Sequence, residues 1–319
     1  MTVWPARPAT GRRGPAPEGG TGHRDAAALP AAVVRSLGRA ARTLATPAGL
    51  ARTAVELAWV GTHLGLYPFG AVSGRTVQDV RGYRVEHLPP VQRSLLIGDV
   101  EASGTPILLV HGLVDNRSIF TLLSRGLRRR GFGRVVSVNY SPLTTDVRTA
   151  AAGLAEEVGA LVAETGYERV HVVGHSLGGL IARYYVTRLG GDARVHTVVT
   201  LGTPHEGTCD AYALPIRLGR QLRPGSELMR ELAAPVERCA TRFVAYWSDL
   251  DPLVVPQEHA RITHPDLRAR NVRLRGVGHM SLPITRSVVH GISTVLAHLE
   301  QDGSARAAGV TPLPAPRAH

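Results

Sequence analysis

Val172-Val173-Gly174-His175-Ser176-Leu177-Gly178-Gly179 is the stretch whose reading decides the fold. Two apolar β-branched residues, suited to a pleated strand, run into a Gly-X-Ser-X-Gly turn. A helical pattern follows in Leu180-Ile181-Ala182-Arg183-Tyr184-Tyr185-Val186. A serine hydroxyl is a poor nucleophile by itself. A tight strand-to-helix turn lifts it clear of the sheet and sets it beside the first N–H groups of the helix, which favour negative charge. Side chains two places before and after the serine would collide across so sharp a turn, so Gly174 and Gly178 flank it. The string alone is weak, and its bland reading is a Gly/Ser turn. The strand–serine–helix context makes Ser176 the candidate nucleophile, with Gly174, His175 and Gly178 as the elbow that presents it.

Working outward, strands alternate with helices. The expected strands are Pro106–Val110, Arg134–Asn139, Arg169–Val173, Val195–Leu201, Arg242–Trp247 and Asn271–Leu274. The expected helices are Arg117–Arg129, Val147–Glu164, Leu177–Leu189 and Ile284–Glu300. This alternation predicts an α/β fold with a mostly parallel central sheet and helices on both faces. Short alternating runs, Tyr83–Leu88 and Arg93–Ile97, predict an opening antiparallel hairpin. Residues 205–236 exceed a usual strand connection and hold one good helix, Gly225–Ala233, so they read as a cap or lid. Leu214, Ile216, Leu218 and Leu222 in that segment either line a pocket or simply pack.

The catalytic domain expected from this pattern covers residues 77–301. Before it, residues 31–76 read as a helical extension with Thr46-Pro47 between two helices. That extension either packs on the catalytic domain or lies against a membrane surface. Residues 1–30 and 302–319 are Pro/Gly/Ala/Arg-rich and read as disordered tails. No apolar leader segment is evident, and the apolar stretch Leu57–Gly74 is interrupted by His63, glycines and Pro68. The chain is therefore expected in the cytoplasm or peripherally on a membrane.

All 37 basic residues are arginine, against 25 acidic ones, for a net charge of +12. Their scatter gives no nucleic-acid motif, and no nucleic-acid partner is expected. Without lysine there is neither a Walker-type phosphate lysine nor a Schiff base. Cys209 and Cys239 form no CxxC pair, so a metal cluster is not expected. They fall at opposite ends of adjacent parallel strands, which favours two free thiols over a disulfide.

Serine catalysis needs a base to take the proton and an acid to orient that base, here in the order serine, acid, histidine. The loop after the strand ending at Trp247 offers Asp249 and Asp251, and Asp251 is preferred because it opens an Asp-Pro-Leu-Val run whose proline fixes the loop. Gly276-Val277-Gly278-His279 follows the last strand, and its histidine is the candidate base. The oxyanion needs two preorganised N–H donors. Leu177, after the serine, and Leu113, in His111-Gly112-Leu113 after an early strand, are the candidates. His111 precedes the serine and reads as a brace for that loop.

Leu109-Val110-His111-Gly112-Leu113, Gly174–Gly179, Leu201-Gly202-Thr203-Pro204-His205-Glu206-Gly207-Thr208, Asp251-Pro252-Leu253-Val254 and Gly278-His279 occur in this order. Together they resemble the α/β-hydrolase superfamily, and within it the bacterial triacylglycerol lipases and esterases. The resemblance implies Ser176 as nucleophile, Asp251 as acid and His279 as base, an oxyanion hole from Leu113 and Leu177, a lipid or small apolar ester as substrate, and no cofactor. Some such lipases hold calcium through an aspartate soon after the histidine. Here Met280-Ser281-Leu282 follows, so no metal is expected. The same machinery would serve a thioesterase, phospholipase or acyltransferase. A non-catalytic membrane-associated module, using the basic N-terminal helices, is the reading from another class.

Overall fold

The computed structural model describes residues 34, 38, 41, 45–47, 50, 51, 54, 58, 61, 74–77, 100–113, 117–140 and 146–297. Strands β1 (Gly74–Val77), β2 (Ile107–Val110), β3 (Val135–Asn139), β4 (Val170–His175), β5 (Val195–Leu201), β6 (Arg242–Ser248) and β7 (Arg268–Leu274) form one sheet in the order β1-β3-β2-β4-β5-β6-β7. β1 runs antiparallel to β3, and β2 through β7 are mutually parallel. The central parallel strands β2 and β5 are rich in β-branched residues and leucine because both of their faces are covered. Ile107–Val110 and Val195–Leu201 are buried at every position.

Helices alternate with the strands: α1 (Val100–Gly104), α2 (Thr121–Arg129), α3 (Val147–Thr165), α4 (Leu177–Arg188), α5 (Arg217–Gln221), α6 (Glu227–Ala233) and α7 (Arg286–Ala297). One core lies between the sheet and α3 and α4, built on Val170, Val172, Leu154, Leu161, Leu180 and Ile181. The other lies on the opposite face with α2 and α7, where Ile107, Leu109, Val173, Leu123, Leu127 and Ile292 meet. Each large aliphatic side chain so buried contributes about 1.5–3 kcal/mol. Asp146 caps α3 by accepting from the Arg148 N–H at 2.9 Å, and Gly166 ends it at φ +72°.

Element limits differ from expectation where local chemistry intervenes. Arg117–Phe120 forms a 3₁₀ turn before α2, and Leu282–Ile284 forms another before α7. The helix expected from Gly225 starts at Glu227, since Gly225 sits at φ +72° and Ser226 caps the helix through the Met229 N–H. β7 begins three residues early, at Arg268, because it is an edge strand with charged side chains facing solvent. Within residues 205–236 the structure adds α5 and a 3₁₀ turn, Cys209–Ala213. Leu218 and Leu222 are buried and pack, whereas Leu214 and Ile216 are exposed. Both cysteines are free thiols.

In the N-terminal segment Val34, Gly38 and Ala41 are helical, Ala45 and Thr46 turn, and helix resumes at Pro47. The runs Tyr83–Leu88 and Arg93–Ile97 and both tails lie outside the described residues. Among the described residues no helix is long and apolar enough to cross a membrane.

Register then sets the position of the site. The chain goes from β2 outward to β3, then crosses back over β2 to β4. Loops leaving the carboxyl ends of β2 and β4 therefore flank a topological switch point, the usual crevice of open parallel sheets. Val110 pairs with Gly174, His175 with Leu201, and Ser248 with Leu274. Residues 111–113, 176, 202, 251 and 279 thus all follow strand ends on one edge of the sheet.

Candidate active site

Ser176 connects β4 to α4 with φ 52° and ψ −121°, a conformation that L-residues seldom adopt. Its N–H is held by the Leu201 carbonyl at 2.8 Å, and its carbonyl accepts from Gly179 at 3.1 Å. The flanking glycines answer to backbone, not to side chains. A Cβ on Gly174 would stand 2.5 Å from the Gly179 nitrogen, and one on Gly178 would overlap the Val110 carbonyl and reach 2.6 Å from the His111 oxygen. Ser176 is half-buried, while Gly174, His175, Leu177 and Gly178 are buried. Leu177 opens α4, so its N–H has no carbonyl one turn earlier in the helix.

Asp251 and His279 meet. The Asp251 Oδ2 lies 2.8 Å from His279 Nδ1, with the two side chains only 1% and 2% exposed. A carboxylate only accepts, so Nδ1 carries the hydrogen and Nε2, on the opposite edge of the ring, is the basic nitrogen. Asp251 Oδ1 accepts from the N–H groups of Leu253 at 2.9 Å and Val254 at 3.2 Å, which fixes the carboxylate. Gln257 Nε2 donates to the Asp251 carbonyl at 3.3 Å. Asp249 is elsewhere: it accepts from the Gly276 N–H at 2.7 Å and pairs with Arg273 at 3.1 Å, tying the β6 and β7 exit loops together.

His279 is tied to the elbow by the residue before the serine. His175 Nε2 donates to the His279 carbonyl at 3.1 Å, and the two rings lie 4.7 Å apart. Gly202, at φ +57°, passes beneath the acid–base pair, where a Cβ would be 2.8 Å from Asp251 Oδ2 and 3.0 Å from His279 Nδ1. The segment at Asp210 also approaches: desolvation, and then the Asp251 charge, push the Asp210 carboxyl above the ordinary carboxylate range.

The loop after β2 comes to the serine from the other side. A Cβ on Gly112 would stand 3.0 Å from the Ser176 Cβ. His111 is buried, its Nδ1 donates to the Gly112 carbonyl at 2.9 Å, and its ring stacks on Tyr140 at 4.3 Å. Tyr140 Oη lies 3.0 and 2.8 Å from the carbonyls of His111 and Gly112, which share its one hydrogen, so the tyrosine braces this loop. Leu113 follows in a turn, half-buried. Tyr140, Gln257 and Gly202 were not singled out from sequence as parts of the site. Tyr140 carried no signal beyond an aromatic at a strand end, whereas Gly202 stood in the Gly-Thr-Pro run.

Residues 205–233 are fastened to α4 and α3. The buried Arg183 donates to the carbonyls of His205 at 3.2 Å and Leu232 at 2.9 Å, and burial lowers its guanidinium to about 10, still charged at neutral pH. Arg148 grips Glu231 at 3.0 and 2.5 Å, and Tyr184 donates to the same carboxylate at 3.0 Å. That contact with Arg148, more than the opposing desolvation, keeps the Glu231 carboxyl below its ordinary range.

Residues 105–216 match a family model described as alpha/beta hydrolase fold. Over 115 residues, 34% of this chain, the sequence is 31% identical to a triacylglycerol lipase of Pseudarthrobacter phenanthrenivorans and to one of Burkholderia plantarii. Those matches cover 35% and 31% of the two lipases, so the match spans about a third of their length. Among solved structures, the mature Bacillus licheniformis lipase BlEst2 superposes with TM-score 0.52 at 19% identity, over 60% of this chain and 91% of that one. Aspergillus fumigatus lipase B gives 0.55 at 16% identity, over 63% and 54%. At these identities the structural likeness is one of fold. The chain therefore carries the α/β-hydrolase fold and is distantly related, over part of its length, to bacterial triacylglycerol lipases.

Proposed function

We propose that this protein is a serine-dependent carboxylic ester hydrolase acting on lipid-like or other apolar esters. The observation that carries the reading is the buried Asp251–His279 pair, fixed through His175 to the strained turn that presents Ser176. Ser176 Oγ attacks the ester carbonyl as its proton passes to His279 Nε2, and Asp251 steadies the imidazolium. The N–H groups of Leu113 and Leu177 receive the oxyanion. Collapse breaks the bond to the alcohol, which leaves with the proton from His279. Water then attacks the acyl-serine, giving its proton to His279, and the carboxylic acid departs as Ser176 regains its hydrogen.

Two features support an apolar substrate. Tyr212, Leu214, Ile216 and Leu253 are exposed apolar side chains, and Leu253 adjoins the site, since its N–H bonds Asp251. The partial relatives are triacylglycerol lipases by name. In this reading residues 205–236 serve as the lid. The test is hydrolysis of chromogenic esters of short, medium and long acyl chains by wild type and Ser176→Ala. Loss of the nucleophile lowers turnover by about a million-fold, and the preferred chain length separates esterase from lipase. Undiminished activity in Ser176→Ala overturns the assignment.

A further inference from the structure

Thr208 closes the Gly202–Thr208 run, and its buried side chain reaches the loop that carries Asp251. The hydroxyl donates to the Leu253 carbonyl at 3.1 Å and accepts from the Val255 N–H at 2.9 Å. It also accepts from the Asp210 N–H at 3.4 Å, capping the 3₁₀ turn Cys209–Ala213. Its hydrogen and both lone pairs are therefore in use. Other bonds run alongside. The Cys209 N–H donates to the Val255 carbonyl at 2.8 Å, the Glu206 N–H to His259 at 3.2 Å, and the Thr208 N–H to Leu222 at 2.8 Å. His259 Nδ1 donates to the Gly207 carbonyl at 2.9 Å. Residues 206–209 are thus stitched along residues 253–259.

The Leu253 carbonyl and the Val254 N–H belong to one peptide unit, which is planar and rigid. Its oxygen is held by Thr208, and its N–H holds Asp251 Oδ1 at 3.2 Å. Asp251 Oδ2 accepts from His279 Nδ1 at 2.8 Å. A continuous line of hydrogen bonds therefore runs from the Thr208 hydroxyl, through that peptide and the carboxylate, to the imidazole. The last side-chain torsion of aspartate has only broad preferences, so the plane of the carboxylate is set by its hydrogen bonds. The peptide that sets it is anchored at its other end by Thr208.

We propose that Thr208 is a positioning residue for Asp251: through the 253–254 peptide its hydroxyl fixes the plane of the carboxylate against His279. The proposal rests on the ester-hydrolase reading for what that pair does. It goes beyond that reading by placing control of the pair on the first residues of the 205–236 segment.

The experiment uses the full chain and variants that isolate the hydroxyl. Thr208→Val keeps the branched shape and loses only the hydroxyl, whereas Thr208→Ser keeps the hydroxyl and loses only a methyl. Thr208→Ala set against Thr208→Ser repeats the comparison if the valine variant does not fold. Thr241→Val is the control. That buried hydroxyl lies 2.7 Å from the Asp192 carboxylate and 2.8 Å from the Val195 carbonyl, at the entry of β6, about 23 Å of strand away from the end that leads to Asp251. On a soluble chromogenic ester, Thr208→Val should lower kcat by about ten- to a hundredfold and leave KM within about twofold, as expected when a catalytic group is misplaced and binding is not. Thr208→Ser and Thr241→Val should each stay within about threefold of wild type. In the Ser176→Ala chain, the low-field ¹H NMR signal of the His279 Nδ1 proton, assigned by its absence in His279→Gln, should persist with Thr208→Ser and Thr241→Val and move upfield or vanish with Thr208→Val. An unmoved signal in Thr208→Val, a kcat there within about threefold of wild type, or an equal loss in Thr208→Ser or Thr241→Val overturns the positioning role. The signal needs no turnover. If it follows the expected pattern in a chain that hydrolyses no ester, the hydrolase reading falls and the tether of Asp251 by Thr208 stands.

Discussion

Replacing Asp251 with asparagine separates one hydrogen bond from the rest of the site. The carboxylate has one oxygen on the Leu253 and Val254 N–H groups and the other on His279. Asparagine has a single oxygen for these two places. Turned toward His279, it sets its NH₂ against two buried N–H donors, at a cost of about 1–3 kcal/mol for each unmatched group. Turned toward the loop, it keeps both backbone bonds and points the NH₂ at His279. The loop orientation is favoured by roughly 2–6 kcal/mol on that count. His279 must then accept at Nδ1, so its proton moves to Nε2, the atom required to take the serine proton. In the general serine triad this wrong tautomer lowers kcat by about 10⁴, or about 5.4 kcal/mol of barrier.

The assay is initial rates on a soluble chromogenic ester, with KM and melting temperature as controls for binding and folding. Asp249→Asn is the parallel variant. It keeps the Gly276 bond and loses only a half-exposed pair with Arg273, so its kcat should stay within about threefold. An Asp251→Asn enzyme within tenfold of wild type (about 1.4 kcal/mol), or an equal loss in Asp249→Asn, would refute the reasoning.

Gly178→Ala drives a methyl into the Val110 and His111 carbonyls, backbone that cannot swing aside. Overpacking of this kind costs about 1–3 kcal/mol, so the melting temperature should fall by roughly 2–12 °C, whereas Gly159→Ala should not lower it. Stability should also decline in mild acid. Burial, and then the charges of His196, Arg242 and Arg169, hold the His171 imidazole well below its ordinary value of 6.5, and burial does the same at His205. The unfolded chain therefore binds protons that the folded chain refuses. Stability is complete above pH 6.5 and is lost as pH falls from there toward the depressed native values, by up to about 1.4 kcal/mol per histidine per pH unit. Urea midpoints at pH 7.5 and 5.5 measure this, and His171→Phe should shrink the difference. The Cys239 thiol, raised to about 11 by burial and then by Asp192, should resist alkylation at pH 8 in the native protein and react after denaturation. Rapid native labelling would contradict that burial.

Much of the candidate site was legible in sequence because its residues fall in short local stretches. Gly174, Ser176 and Gly178 sit within five residues of one another, and Asp251 and His279 each follow a recognisable strand. The pairing of Asp251 with His279, against Asp249, depends on which carboxylate turns inward once two loops meet, and no single segment encodes it. Val100–Gly104 was missed as a helix because five residues with a terminal glycine carry too short a period. Arg217–Gln221 was missed because Gly219 interrupts it, yet a Cβ there would collide with the Leu214 backbone. The start of β7 was obscured by Arg268 and Arg270, which an edge strand tolerates and a central one does not. Tyr140's hold on the loop after β2 joins residues 28 and 29 apart, a distance that helical or strand periodicity does not reach.

The turn at Ser176 has a consequence for how variants of this protein would be chosen. A non-glycine residue at φ 52° and ψ −121° stores about 1–3 kcal/mol that the surrounding structure has to hold. Glycine at 176 would release it, since that conformation is open to glycine. Ser176→Gly should then melt later than wild type and hydrolyse nothing. Thermal endurance and turnover thus pull in opposite directions at this one position, and a library sorted only by survival of heating would enrich its own inactive members.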